Sequence, residues 1–126
     1  MKTGENEILT INSLVIGYMN GRRKLQILPA LNASACKGEL VAVLGSNGIG
    51  KSTLLRTIAG LQKAIDGLVM ISNEDTRHYS RIRSARKVGY ISTEIVRVSH
   101  MRVYDIVALG RFPYTDWTGR IDSRTD

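Results

Sequence analysis

Nine consecutive residues carry the clearest chemical signal in the chain. Gly45, Ser46, Asn47, Gly48, Ile49, Gly50, Lys51, Ser52 and Thr53 have the spacing of a phosphate-binding loop: glycine, four residues, then Gly-Lys-Ser. Polyphosphate must come close to backbone N–H groups, so such a loop cannot carry a Cβ at every position. Glycines at 45, 48 and 50 also permit positive φ, and successive N–H groups then converge as an anion nest. A helix beginning near Lys51 would add its positive dipole end. In this arrangement Lys51 is the catalytic candidate, a mobile point charge bridging β- and γ-phosphates. Ser52 is the candidate ligand for Mg2+, an ion that keeps most of its waters. Thr53 would reach an α-phosphate, and Ser46, Asn47 and Ile49 complete the cradle. The competing reading is a glycine-rich turn between strand and helix with no ligand.

The flanking segments have the patterns that would position this loop. "ELVAVLG" is a continuous apolar, β-branched run, which predicts a strand buried on both faces. From Lys51 to Leu61 the period changes, and Leu54, Leu55, Ile58 and Leu61 fall on one helical face, with Gly60 as a C-terminal cap. Upstream, "EILTINSLVIGY" alternates and predicts a strand ending at Tyr18. Asn20-Gly21 predicts a hairpin turn. "KLQILPALNASA" reads as an irregular strand bent at Pro29, and "CKGE" as a turn. Downstream, a turn at Asp66-Gly67 leads into a strand "DGLVMIS", and "KVGYIS" predicts a second, buried strand. "YSRIRSAR" predicts a short helix with Ser80 as N-cap. "VYDIVALGR" predicts another, with Asp105 near its positive end and Arg111 near its negative end. Ser123 stands three residues before Asp126, the spacing of a capping box, so a further helix is expected to begin there. The chain thus reads as a piece cut at a helix start.

Composition narrows the class. The chain has 126 residues, 43% of them hydrophobic, and a formal net charge of +7, enough for one domain or part of one. No apolar run approaches the roughly 20 residues of a membrane span, and "MKTGENE" is not a secretory leader. The basic residues are scattered and form no single stripe, which favours solvated faces over a nucleic-acid footprint. A single cysteine, Cys36, excludes an internal disulfide and reads as a small buried residue. His78 and His100 have no metal-ligand spacing.

"LGSNGIGKSTLLRTIAGL" resembles the phosphate-loop region of ATP-binding subunits of ABC transporters. The likeness extends over most of the chain: "SLVIGY" to the family's opening strand and aromatic loop, "GELVAVLG" to the strand before the phosphate loop, and "RVYDIVALGRFPYTDW" to the start of the helical subdomain. The last segment is most similar to importers of iron–siderophore complexes, haem and cobalamin. The resemblance implies an α/β, P-loop NTPase fold of the ABC type, with an antiparallel N-terminal β part and an incomplete α/β core. Residues 1–92 would belong to the ATP-binding core, and 93–126 would hold the glutamine-loop region and the start of the helical subdomain. Tyr18 would stack on adenine; the alternative is a core tyrosine at a strand end. The cofactors implied are ATP and Mg2+. The partners implied are a second ATP-binding subunit, head to tail, and a membrane permease, at the cytoplasmic face of the membrane.

The family's glutamine is expected after "KVGYIS", but Thr93 stands there. Threonine is two heavy atoms shorter and would touch Mg2+ or water only indirectly; Glu94 is the alternative substitute. Arg102 stands where the family often has a capping threonine. Phe112, Tyr114 and Trp117 form a local aromatic concentration, read either as an interface with the permease or as a hydrophobic cluster under a loop. Phosphoryl transfer also needs a carboxylate, a water-positioning group and a stabiliser of transition-state charge. The motifs that supply these in the family do not occur in residues 1–126, so this stretch is expected to lack ATPase activity alone. Two other readings remain: a soluble ABC-type ATPase of DNA repair or translation, and a nucleotide-binding module without efficient hydrolysis.

Overall fold

The computed structural model describes residues 6–93 and 101–115. They belong to two compact units, Met1–Tyr79 and Ser80–Asp126. The first contains strands β1 (Glu7–Val15), β2 (Gly17–Asn20), β3 (Arg23–Gln26), β4 (Leu31–Cys36), β5 (Asp66–Ile71) and β6 (Glu74–Asp75), with helix α1 (Lys51–Ile58) between β4 and β5. One sheet has the order β4-β1-β5-β6, and β2 and β3 form a separate hairpin. All of these pairings are antiparallel.

β1 is the central strand, and one extra residue governs which of its side chains are buried. Asn12 pairs with Leu68 but Val15 pairs with Asp66, so three steps along β1 match two along β5. The surplus is a bulge at Ser13, whose φ is 46°. The Ser13 N–H, displaced from the ladder, donates instead to Asn32 Oδ1 at 2.7 Å. Gly67 (φ 77°) lies against this bulge; a Cβ there would stand 2.2 Å from the Ser13 carbonyl oxygen. A bulge shifts the side-chain alternation by one. Ile11 before it and Leu14 and Ile16 after it are consequently all buried, together with Val69, Ile71 and Leu54 of α1. This apolar set is the core of the first unit.

α1 begins where Gly50 turns the chain. Its N-cap is Gly50 at φ 111°, no acidic side chain lies in its first turn, and Leu54 N–H donates to Gly50 O at 2.8 Å. Thr57 is buried, and its hydroxyl donates to Thr53 O at 2.8 Å. The helix ends in a Schellman motif: Gly60 (φ 73°) donates to Thr57 O at 3.1 Å and Leu61 to Arg56 O at 2.9 Å. These bonds satisfy carbonyls that the helix end leaves open.

Several expectations are corrected. "ELVAVLG" forms no strand: residues 39–46 have no strand assignment, and Leu40 and Leu44 are 96% and 90% exposed. A run of apolar residues becomes a buried strand only when neighbours take its backbone hydrogen bonds and cover its faces, and no described strand pairs with it. "KVGYIS" likewise forms no strand, with Ile91 97% exposed, for the same reason. The hairpin loop is Gly21-Arg22, because Asn20 already pairs with Arg23. Positive φ at Gly21, at 58°, is what a two-residue type II′ turn requires of its first position. Asp66-Gly67 begins β5 rather than forming a turn before it. Cys36 is exposed rather than buried; it ends β4, the outer strand of its sheet. The irregular strand around Pro29 resolves into β3 and β4 with a break at residues 27–30.

The second unit contains α2 (Arg81–Lys87), α3 (Val103–Leu109) and a 3-10 turn at Phe112–Tyr114. Ser80 caps α2 by accepting from Arg83 N–H at 3.2 Å. Asp105 accepts from Arg102 N–H at 2.9 Å, so the acidic half of a capping box holds the start of α3 although Arg102 replaces a hydroxyl residue. Arg111 lies past the end of α3, beside the 3-10 turn. The Ser123–Asp126 spacing lies outside the described residues.

Candidate functional site

The glycine-rich segment forms an open loop directly before α1. Gly48 has φ 83°, and a Cβ there would meet nothing within 4 Å. The glycine is needed for its backbone conformation, not for space. Gly50 combines φ 111° with close packing, because a Cβ would stand 2.7 Å from Ile27 Cγ2. A Cβ at Gly45 would lie 3.1 Å from Ile49 Cγ2, and Ile49 N–H turns back toward Ser46 O at 3.4 Å. Lys51 arches over the loop: its Nζ donates to Gly45 O and Ser46 O, both at 2.8 Å. The ammonium therefore sits over the residues whose N–H groups would face an anion. Ser52 is exposed and Thr53 buried.

Tyr18, on the β2–β3 hairpin, comes to the same place from 35 positions away. Its hydroxyl lies 3.3 Å from Thr53 Oγ1. Tyr18, Ile27, Asn47, Gly48, Gly50, Lys51, Ser52 and Thr53 together line a cavity of about 360 Å³. Half of the Tyr18 surface remains exposed, so it is not a core tyrosine. A second cavity of about 590 Å³, lined by residues including Thr57, Gln62, Asp66 and Arg77, is larger. It lacks a glycine-rich loop, and its Arg77 is committed to Asp75 through Nε, at 2.8 and 3.0 Å to the two carboxylate oxygens. That guanidinium holds the Asp75 carboxyl down at about 2. The smaller cavity is the one with the chemistry.

The remaining sequence candidates belong to the second unit. Thr93 is exposed. Phe112 is 69% exposed. Two guanidinium groups lie over the Tyr114 ring, Arg86 at 5.3 Å and Arg111 at 5.1 Å from its centroid. Arg86 Nε donates to Pro113 O at 2.7 Å, and the Tyr114 hydroxyl donates to Arg86 O at 3.3 Å. Trp117, Glu94 and His100 lie outside the described residues. No cluster of three or more metal-ligating side chains occurs among the described residues.

Two contributors were not foreseen in the sequence. Gly17 lies so close to the opposite strand that a Cβ would stand 1.9 Å from Leu25 O and 2.6 Å from Ile65 Cδ1. Gln62, just past α1, donates from Nε2 to Gly17 O at 2.7 Å. Glycine beside an aromatic in a strand was a signal for the first; nothing in the spacing marked the second.

A glycine-rich loop that opens a helix thus shares one cavity with an aromatic side chain delivered by an antiparallel hairpin. The sequence profile described as ABC transporter matches residues 28–125, and the chain belongs to that family. It is 34% identical over 117 residues to an uncharacterised ABC transporter ATP-binding protein of Methanocaldococcus jannaschii, covering 93% of this chain and 39% of the relative. It is 33% identical over 101 residues to the ferric enterobactin transport ATP-binding protein FepC of Escherichia coli K12, covering 80% and 36%. It is 41% identical over 85 residues to the sulfate/thiosulfate import ATP-binding protein CysA of Methylococcus capsulatus, covering 68% and 24%. Among solved structures, one described as a putative metal-chelate type ABC transporter in an inward-facing conformation matches with a TM-score of 0.65 at 27% identity, covering 94% of this chain and 40% of that one. The chain thus carries the P-loop α/β fold of the ABC ATP-binding domain in part, and spans about two fifths of the first curated relative's length. Membership of this family implies ATP binding. No helix among the described residues is long and apolar enough to cross a membrane.

Proposed function

We propose that the loop from Gly45 to Thr53 holds the polyphosphate of ATP and that Tyr18 carries the adenine. The observation that supports this most is the shared cavity, with Tyr18 3.3 Å from Thr53 and the loop glycines on the same wall. The residues present fit such a ligand. The loop backbone is bare where phosphate oxygens would approach, the helix start has no competing carboxylate, and Lys51 already hovers over the loop. Ser46 and Asn47 contribute backbone N–H groups, Ile49 adds its own once it releases Ser46 O, Lys51 neutralises charge on the outer phosphates, and Thr53 faces the α-phosphate. Ser52 would hold Mg2+, which when bound supplies charge neutralisation across the β- and γ-phosphates.

The polypeptide would be the ATP-binding subunit of an ABC importer that couples ATP binding and hydrolysis to uptake of an iron chelate. The match to FepC over 101 residues and the metal-chelate type structure support that cargo. The matches to CysA proteins make sulfate the competitor. The subunit would pair head to tail with a second copy and dock a permease through the region of Phe112, Tyr114 and Trp117, at the inner face of the membrane. Residues 1–92 would belong to the ATP-binding core and 93–126 would hold the glutamine-loop region, with Thr93 at its glutamine position, and open the helical subdomain.

The test is binding of ATP with Mg2+ by calorimetry, for the chain and for Lys51→Ala. Loss of a charge-assisted contact to phosphate, about 1.5–3 kcal/mol, predicts affinity roughly 10- to 150-fold weaker. Undiminished binding by Lys51→Ala would sink the assignment of the loop.

A further inference from the structure

Tyr18 is useful to a nucleotide only if its ring is held at a fixed distance from the phosphate loop. The structure closes a circuit that does this. The first anchor is Tyr18 against Thr53, in the first turn of α1. The second is the far end of the same helix. Leu61 and Gln62 both donate backbone N–H to Arg56 O, at 2.9 and 3.2 Å, so Gln62 is fixed to α1 by the Schellman turn. From there the Gln62 side chain reaches 45 positions back and donates to Gly17 O at 2.7 Å. Gly17 is the residue immediately before Tyr18.

Gly17 cannot slide to accommodate an error in this distance. Its Cα faces Leu25 O and Ile65 so closely that no Cβ fits. Ile65 N–H in turn donates to Val15 O at 2.8 Å, a parallel tether on the same connection. The hairpin strand carrying Tyr18 is therefore tied to both ends of one helix: at the phosphate end by the tyrosine itself, at the other end by Gln62.

We propose that Gln62 is a positioning residue for the base of the nucleotide, acting through the Gly17 carbonyl on Tyr18 without touching the ligand. The inference rests on the reading of Tyr18 and the phosphate loop given above. It predicts a selective defect. Phosphate affinity resides in the loop and Lys51, and base affinity in the tyrosine, so losing the Gln62 tether should weaken only the second.

The experiment compares ADP with inorganic tripolyphosphate, measured calorimetrically on the full chain. Gln62→Glu keeps the shape and removes the donor; Gln62→Ala removes the side chain. Gln62→Ala is expected to weaken ADP binding about 3- to 10-fold, the loss of one neutral hydrogen bond, and Gln62→Glu at least as much, because its acceptor-only carboxylate faces the Gly17 carbonyl; both should leave tripolyphosphate binding within about twofold. Tripolyphosphate binding also shows that each variant is folded. Tyr18→Ala should lower ADP affinity by tenfold or more, and adding Gln62→Glu to it should lower it no further. Equal losses for ADP and tripolyphosphate, or full additivity with Tyr18→Ala, would overturn the positioning role. Failure of the unaltered chain to bind either compound would instead overturn the site itself.

Discussion

Gly17 and Gly48 are both glycine for opposite reasons, and substitution separates them. At Gly17 the backbone is ordinary but the space is absent: a Cβ would lie 1.9 Å from Leu25 O. Restoring ordinary contact near 3.4 Å means moving β3 away from β2 by about 1.5 Å, more than a hydrogen bond of normal length tolerates. Gly17 pairs with Gln26 and Tyr18 with Leu25, so about two hairpin bonds are lost at ~1 kcal/mol each, or the strain of overpacking, about 1–3 kcal/mol, is retained. Gly17→Ala should therefore destabilise the first unit by about 2–3 kcal/mol, the upper part of that range because the same Cβ would also meet Ile65 Cδ1 at 2.6 Å. At Gly48 the space is open but φ is 83°, and alanine there costs about 1–2 kcal/mol of left-handed backbone strain. Asparagine tolerates that region better than alanine, so Gly48→Asn should recover part of the loss. Gly17→Asn, being larger, should be worse than Gly17→Ala. Urea unfolding followed by circular dichroism gives the ordering from the midpoints at constant slope. A Gly17→Ala midpoint above that of Gly48→Ala, or the same Asn-versus-Ala preference at both sites, would refute the reasoning.

Further outcomes follow from single features. The Asp75 carboxyl is held at about 2 by its hydrogen bonds to Arg77, below the usual 3.8. A depressed folded value means its contribution to stability is complete above about pH 4 and disappears as pH falls through about 2. Arg77→Ala should then narrow its stability gap from the unaltered chain between pH 6 and pH 2, read from urea midpoints; a gap independent of pH would contradict the pairing. Cys36 is exposed at the end of an outer strand, so a thiol reagent should titrate one equivalent in the native chain without denaturant. Labelling that requires unfolding would place the residue inside.

What could be read from the residues depended on whether their surroundings were local. The glycine-rich loop and the start of α1 were legible because the glycines sit where φ is positive, directly before the helix; the apolar period misplaced the buried face, since Leu55 and Leu61 are exposed and α1 turns Thr53, Leu54 and Thr57 inward instead. The capping of α2 by Ser80 was legible because it too is local. "ELVAVLG" and "KVGYIS" were not, because an apolar run states that a segment prefers burial and leaves open what covers it. The inward face of β1 was hidden too, since strict alternation cannot place both Ile11 and Leu14 inside; only the bulge at Ser13, stabilised by Asn32 from another strand, reconciles them. Within the site, Tyr18 was placed by resemblance, and the structure brought it to Thr53. Gln62 escaped notice because its partner is 45 positions away.

The two bonds from Lys51 Nζ to Gly45 O and Ser46 O give the loop its own internal counter-charge. The ammonium has three N–H donors and two are engaged, so a first phosphate oxygen can take the third, and any further one displaces a carbonyl. To the extent of that exchange, the heat released on binding is a difference between two sets of charge-assisted bonds. The same clasp props the loop near its working shape beforehand, which lowers the ordering entropy that binding must overcome. The loop thus trades enthalpy for readiness, and its affinity should vary less with temperature than a loop ordered only by its ligand.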